Sequence, residues 1–452
     1  MENKDTELHT RDGWHSMPEL PSLAEVHRTM HVPKDGSFFR KMLAFAGPGY
    51  LVAVGYMDPG NWATDIAGGA KFNFTLLSVI VISNLMAILL QSLALKLGIA
   101  TGRDLAQACR DHYSKPVAIA QWVICEIAIA ACDLAEVIGS AIALQLLFHI
   151  PLLIGVCITG FDVLVILFLQ SRGFRYIEVL VIALMTTIGG CFALEILFSR
   201  PEILGLVRGM IPSPEIATNP EMLYIAIGIL GATVMPHNLY LHSSIVQTRR
   251  YDLDSAGKRE AIKFATIDST LALMFALFIN AAILIMAAAT FYRTGRHDVA
   301  GIGEAYQLLT PLLGVGGAST LFAIALLASG QNSTLTGTLA GQIVMEGFLN
   351  LRIRPWLRRL ITRLIAIVPA VVVIAISGEK GVEDLLILSQ VVLSLQLSFA
   401  VFPLVMFTCD KVKMGEFVNP AWIKVLSWTV AIVIAVLNVW LLFQTLRGWF
   451  KL

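Results

Sequence analysis

Asp58-Pro59-Gly60-Asn61 and Met235-Pro236-His237-Asn238 each sit inside a long apolar stretch. Proline removes a backbone donor and clashes with the preceding turn, so a helix breaks where it falls. At bilayer depth, broken backbone survives only where protein or a water-lined cavity satisfies it. Two interrupted spans at matching places in two halves of a membrane chain point to a site for a transported solute. This site would bring together a carboxylate, an amide and a thioether.

The surrounding composition supports a membrane reading. The chain has 452 residues, is 56% hydrophobic and only 14% charged. That balance is foreign to soluble globular proteins and expected of polytopic membrane proteins. A formal net charge of +1 says nothing about nucleic acid or an anionic surface, and no nucleic-acid partner is expected. Residues 1–42 read as a polar cytoplasmic tail, without the apolar core of a signal peptide. The six cysteines form no CxxC pair and read as small core hydrophobes.

Apolar runs define eleven expected spans near 43–70, 74–98, 116–146, 152–170, 176–198, 222–248, 264–291, 317–348, 356–377, 384–408 and 421–444. The expected organisation is a tail (1–42), a core (43–408) and a loop with an appended eleventh span (409–452). With the N-terminus cytoplasmic, 25 of the 33 Lys and Arg lie on the cytoplasmic side and 8 on the other. That bias selects this orientation and puts the C-terminus outside. Asp58 and Met235 are 177 residues apart, an offset of five spans. An odd offset reverses direction, so spans 1–5 and 6–10 form an inverted repeat.

At the first break, Pro59 and Gly60 unwind the helix so that the Asp58 and Asn61 side chains converge with freed carbonyls, including that of Gly55. Oxygen ligands of this kind suit hard or borderline divalent cations. A mid-membrane acid costs about 2.5–3.5 kcal/mol on insertion scales, which makes Asp58 a functional candidate. The structural alternative is that Asp58 merely caps the second half-helix.

At the second break, Met235 mirrors Asp58, and Ala232 lies one turn earlier. A methionine in an apolar helix is ordinarily packing. Here its thioether would disfavour Mg2+ and Ca2+ while tolerating Mn2+, Fe2+, Co2+ or Cd2+. His237, two residues on, titrates near neutrality and suits proton exchange. His9, His15, His27, His31 and His297 read as solvated.

Glu126, Asp133 and Glu136 share one face of span 3, by spacings of seven and three. Three acids cannot face lipid, so they must face protein or water. Arg249 and Arg359 are candidate partners, and such a chain would serve as a proton relay or as a static ion-pair network. The run Gly330 to Gln342 in span 8 suits close helix packing or the lining of a vestibule. Gln390 could offer an amide oxygen to the ion, but on residue type alone it reads, like Asn280 and Asn84, as structural.

These motifs resemble the Nramp family of proton-coupled divalent-metal transporters. The likeness rests on the two broken motifs, the Gln331–Gln342 run and Ser389-Gln390-Val391, and covers spans 1–10. It implies an all-α membrane protein with the LeuT-type fold, alternating access, and import of Mn2+ or Fe2+ with H+. The family's metal ligands fall on Asp58, Asn61, Met235, Gln390 and the carbonyls of Gly55 and Ala232. Its proton route falls on Asp58, His237, Glu136, Asp133, Arg249 and Arg359. Asn332 departs from the serine of many relatives. A Mg2+-carrying branch lacks the methionine, so Met235 argues against that cargo. The absence of a twelfth span and of a glycosylated loop suits a bacterial cytoplasmic membrane.

The expected partners are therefore divalent metal ions, protons and the lipid bilayer, with no resident cofactor and no obligatory protein partner. An organic-solute symporter on the same fold would need no sulfur ligand and a larger cavity. A passive metal channel would leave the acid stripe and His237 without a task. An intramembrane metallohydrolase would need an HExxH-type set, which the sequence lacks.

Overall fold

The structure is a computed structural model and describes residues 13–15, 20–33, 35–161, 173–299 and 301–450; at 355, 356, 358, 359, 377–380, 383, 384, 387 and 445–450 it describes the backbone alone. The first expected span is two half-helices, α1 (Pro48–Val54) and α2 (Pro59–Phe72), joined by one 3₁₀ turn, Gly55–Met57. The sixth is α6 (Pro220–Thr233) and α7 (Pro236–Ile245). Between these lie α3 (Leu77–Thr101), α4 (Lys115–Phe148) and α5 (Phe174–Ser199); after them come α8 (Ser255–Thr290), α9 (Ala318–Leu349), α10 (Pro355–Cys409) and α11 (Ala421–Phe450). Span 4 is represented by Leu152–Thr159, and 162–170 of its expected range lie outside the described residues.

The two breaks have the same local cause. A residue before proline is driven out of the helical region. Asp58 accordingly has φ −69° and ψ 165°, and Met235 has φ −76° and ψ 124°. Each prolyl residue then starts a new half-helix, where its missing N–H is harmless. The freed carbonyls of the first break are taken up by buried donors. Asn280 Nδ2 donates to the Tyr56 carbonyl at 2.7 Å, Trp62 Nε1 donates to the Met57 carbonyl at 3.2 Å, and the Ser329 hydroxyl donates to the same oxygen. Asn280 is thus a brace, as its structural reading held.

Seven described helices are long and apolar enough to cross a membrane, fewer than the eleven spans expected. The shortfall has identifiable causes among the other spans. The first is broken, α9 is diluted by the Gly, Ser and Thr of its middle turns, and Leu360–Ile376 is short. The helix α10 joins expected spans 9 and 10 in one 55-residue helical run. A straight helix of that length would reach about 80 Å, well beyond a bilayer. Yet Arg352, just before it, donates to the Pro21 carbonyl, and Phe407, near its end, stacks edge-on to Trp14 at 5.4 Å. Both ends meet the same N-terminal segment, so the chain reverses within the run and crosses twice.

The N-terminal segment corrects the expectation of a solvated tail. Trp14 and Leu23 are buried, and Met30–His31 pairs in parallel with Arg249–Arg250. Of the histidines read as solvated, His15, His31 and His297 are exposed, whereas His27 is half-buried; His9 lies outside the described residues.

Candidate metal site and its polar surroundings

Asp58 caps α2 and is a ligand candidate at the same time. Its Oδ1 accepts from the Asn61 backbone N–H at 2.9 Å, while Oδ2 is buried without a hydrogen-bond partner. The capping alternative therefore uses one oxygen and leaves the other. Asn61 Nδ2 and Gln390 Oε1 are likewise buried without partners. The Gln390 amide faces the Asp58 carboxylate and lies against Gly60. The Asn238 amide lies against Gly55, and neither of its polar atoms has a partner. Buried polar atoms are normally paired, so a cluster of unpaired ones makes this place the candidate site.

Met235 is fully buried in a small cluster with Ala128, Cys132 and Leu393. Ala232 is buried in the last turn of α6. Cys132 connects the two breaks. It shares the Met235 cluster, and its sulfur lies 3.9 Å from His237 Nε2 and 3.5 Å from Glu136 Oε1 and feels the charge of Asp58. Cys132 is a buried core residue, as read from the sequence, and it also stands beside polar groups.

The acid stripe divides. Asp133 and Glu136 are buried, and both carboxylates face Gly337 of α9. Ser333 donates to Glu136 Oε1 at 2.8 Å. Glu126 is only half-buried and accepts from the Trp122 indole N–H at 3.1 Å, because it sits two turns closer to the helix end.

The arginine expectations are revised. Arg363 Nη1 stands 4.0 Å from Glu136 Oε2, and Arg363 Nη2 donates to Thr334 Oγ1 at 2.6 Å. The side chain of Arg359, four residues earlier, lies outside the described residues. Arg249 joins a different group. It is fully buried, pairs with Glu178 at 2.6 Å and donates to the carbonyls of Ala44, Phe45 and Ala46. Asp268 accepts from the Gly49 N–H at 2.7 Å beside it. The reason is geometric: Arg249 ends the sixth span next to the start of the first, so the nearest acid is Glu178 of α5.

A second buried polar chain escaped the sequence reading. Gln91 Nε2 donates to the Tyr56 hydroxyl at 2.8 Å, and Gln91 Oε1 lies 2.9 Å from His242 Nδ1. Asp65 is also buried, and its Oδ2 has no partner. His242 lies five residues beyond His237, and Asp65 seven beyond Asp58. Both spacings were visible signals.

A cavity of about 580 Å³ reaches from Gln390 and Ser394 past Thr64 and Gly228 to Tyr306 and His149. His149 ends α4, so the cavity opens on the face opposite the N-terminal segment. On the segment's own face lie the Arg249–Glu178 group and the Met30–His31 strand.

With this geometry in hand, the likenesses to known proteins are informative. The profile of the Nramp family (natural resistance-associated macrophage protein-like) matches residues 49–444. A divalent metal cation transporter MntH of a Nostoc species is 68% identical over 429 residues, covering 95% of this chain and 97% of that protein. One from Listeria monocytogenes is 65% identical over 445 residues, covering 98% and 99%. The solved Eremococcus coleocola manganese transporter, in complex with an aromatic bis-isothiourea substituted compound, superposes with a TM-score of 0.90 at 45% identity, over 95% of this chain and 92% of that one. The nucleobase-cation-symport-1 family transporter Mhp1, in a closed conformation, superposes with a TM-score of 0.58 at 14% identity, over 88% and 92%. At that identity the likeness concerns the fold alone, the LeuT-type architecture.

Proposed function

The chain belongs to the Nramp family, and from that premise we propose that it imports divalent transition-metal ions, Mn2+ first among them, together with protons. The observation that carries this reading is the pair of buried acceptor oxygens without a hydrogen bond at the first break, Asp58 Oδ2 and Gln390 Oε1, with Asn61 buried beside them and the buried Met235 at the second. The named activities of the MntH relatives and of the manganese transporter point the same way.

In this reading the ion enters by the cavity that reaches Gln390 and exchanges water for the oxygens of Asp58, Asn61 and Gln390, the carbonyls of Gly55 and Ala232, and the Met235 sulfur. A thioether is a poor ligand for Mg2+ and Ca2+. Discrimination therefore works by penalising hard ions. Asp58 lies close enough to Glu136 for their charges to interact. A cation bound at Asp58 favours the deprotonated carboxylate. That links metal arrival to proton departure through His237, Glu136, Asp133 and Arg363. Arg249 would act in closing the far side, and Glu126 would mark the end of the acid stripe.

The basic-residue bias supports a cytoplasmic N-terminal face in a bacterial cytoplasmic membrane. The cavity then faces outward. Release on the other side requires the half-helices α1 and α7 to part from the Arg249–Glu178 group.

Uptake into proteoliposomes across a panel of divalent ions, with internal pH recorded, tests the proposal. Mn2+ uptake with internal acidification is expected, and Asp58→Ala should abolish it. Normal uptake by that variant would remove the site from the first break.

A further inference from the structure

The N-terminal segment is seated on two kinds of element at once. On one side it holds the end of the sixth span. Met30–His31 forms a parallel ladder with Arg249–Arg250, the Arg28 backbone N–H donates to the Gln247 carbonyl at 3.0 Å, and the Arg28 guanidinium donates to the Tyr251 carbonyl at 2.6 Å. These residues follow α7 directly. On the other side it is anchored to helices without a break. The Leu23 backbone N–H donates to Glu346 of α9 at 2.9 Å. Trp14 is buried between the Arg103 guanidinium and the Lys413 ammonium, at 4.9 and 4.8 Å from its ring, and stacks on Phe407.

A polar segment gains little by ordering itself on a membrane protein unless specific contacts offset the entropy lost. Here those contacts are a buried tryptophan under two cations, a buried leucine and a two-residue ladder. They fall on the face opposite the cavity. The described residues of the segment thus link the stretch that follows α7 to α9 and to the end of α10.

We propose that this segment is a strap that acts as a positioning element of the transport cycle: it holds α7 closed against the N-terminal face, and it must let go for the ion to leave there. The proposal rests on the transport reading above. In this proposal the seated strap belongs to the outward-open arrangement, so its loss shifts the population away from that state. The apparent affinity of a ligand falls in proportion to the fraction of protein competent to bind it. External Mn2+ should then bind more weakly, even though no residue near the ion has changed.

The test uses the full chain in proteoliposomes and measures KM and Vmax for external Mn2+, normalised to folded transporter. Trp14→Ala combined with Leu23→Asp places a carboxylate beside Glu346 and empties the tryptophan seat. The expected result is a KM at least threefold higher with Vmax at or above half the parental value. Trp14→Phe, which keeps an aromatic face for the two cations, should restore the parental KM. A chain beginning at residue 34 removes the strap outright and should show the same rise. A parental KM in either strap-free form, or a fall in Vmax with KM unchanged, would overturn the proposal. Absence of Mn2+ uptake by the parent chain would instead overturn the transport reading.

Discussion

The Gln390 side-chain amide occupies the space where a methyl group on Gly60 would stand. A glycine between Pro59 and Asn61 therefore does more than loosen the helix. It lets α10 bring an amide from the opposite half of the fold onto the first break. The same relationship recurs at Gly55, whose missing side chain makes room for the Asn238 amide.

Gly60→Ala is expected to push Gln390 away from Asp58 and to lower Mn2+ uptake at least tenfold. Thermal stability should fall by only about 1–3 kcal/mol, the usual range for overpacking. Uptake kinetics and a melting curve on the same preparation check this. Near-normal uptake would show that Gln390 is dispensable to the ion.

Met235→Ala should retain Mn2+ uptake while allowing Ca2+ or Mg2+ to compete. A tenfold change in relative affinity corresponds to about 1.4 kcal/mol, a reasonable scale for one ligand. Competition assays against labelled Mn2+ read it directly. Unchanged competition would return Met235 to a packing role within its cluster of Ala128, Cys132 and Leu393.

Arg249 and Glu178 form a pair with neither side chain exposed. Removing one partner strands a buried charge, a loss of about 3–5 kcal/mol. Glu178→Ala should therefore destabilise the protein far more than a double replacement by apolar residues. A double-mutant cycle on thermal stability separates the two cases. Additive losses would mean that the pair is not the fastening it resembles.

Asn280→Ala should leave the Tyr56 carbonyl without its donor at the unwound turn. The loss of a buried donor costs about 1–3 kcal/mol. A stability drop of that size, with a weaker effect on ion selectivity than Met235→Ala, is the expected pattern. A changed selectivity profile would place Asn280 among the ligands instead of behind them.

His112 stands outside the spans, stacked on His15 and facing Phe407, Tyr113, Lys413 and Asp410. Burial, and then the Lys413 and His15 charges, lower its pKa from 6.5, while Asp410 opposes them. A base with a depressed pKa in the folded state binds fewer protons there than when released. Its contribution is complete above 6.5 and is lost as pH falls through the depressed value. Seating of the N-terminal segment should weaken on acidification below about 6.5. Hydrogen exchange of residues 20–33 should accelerate in that window, and His112→Gln should flatten the response. A flat profile in the parent chain would exclude His112 as the cause.

Much of the site is legible in sequence because proline and glycine act locally. Pro59 and Pro236 force the residue before each of them to be extended whatever surrounds it. That places Asp58 and Met235 at the breaks. The spacing of Asp133 and Glu136 likewise puts both on one face before any neighbour is known. The partners were not legible, because pairing depends on which helices meet. Arg249 is basic and near the end of the sixth span, which made it a candidate partner for the acids of span 3. In space it faces Glu178, and Arg363 stands beside Glu136 instead.

Cys132 and the N-terminal segment teach the same lesson from opposite directions. A cysteine in an apolar helix carries no local mark that separates packing from a place beside Met235 and His237. A polar tail carries no mark that it will bury Trp14 and Leu23.

From the amino-acid order alone came the membrane class, the two opposed breaks, their five-span offset and the candidate ligands. These rest on backbone sterics and hydropathy, which act within a few residues. Tertiary structure alone decided which carboxylate each arginine neutralises, which amide reaches Asp58, on which face the cavity opens and where the tail is tied down. Those outcomes depend on contacts between residues far apart in the chain, and only the packed helices bring them within hydrogen-bonding distance.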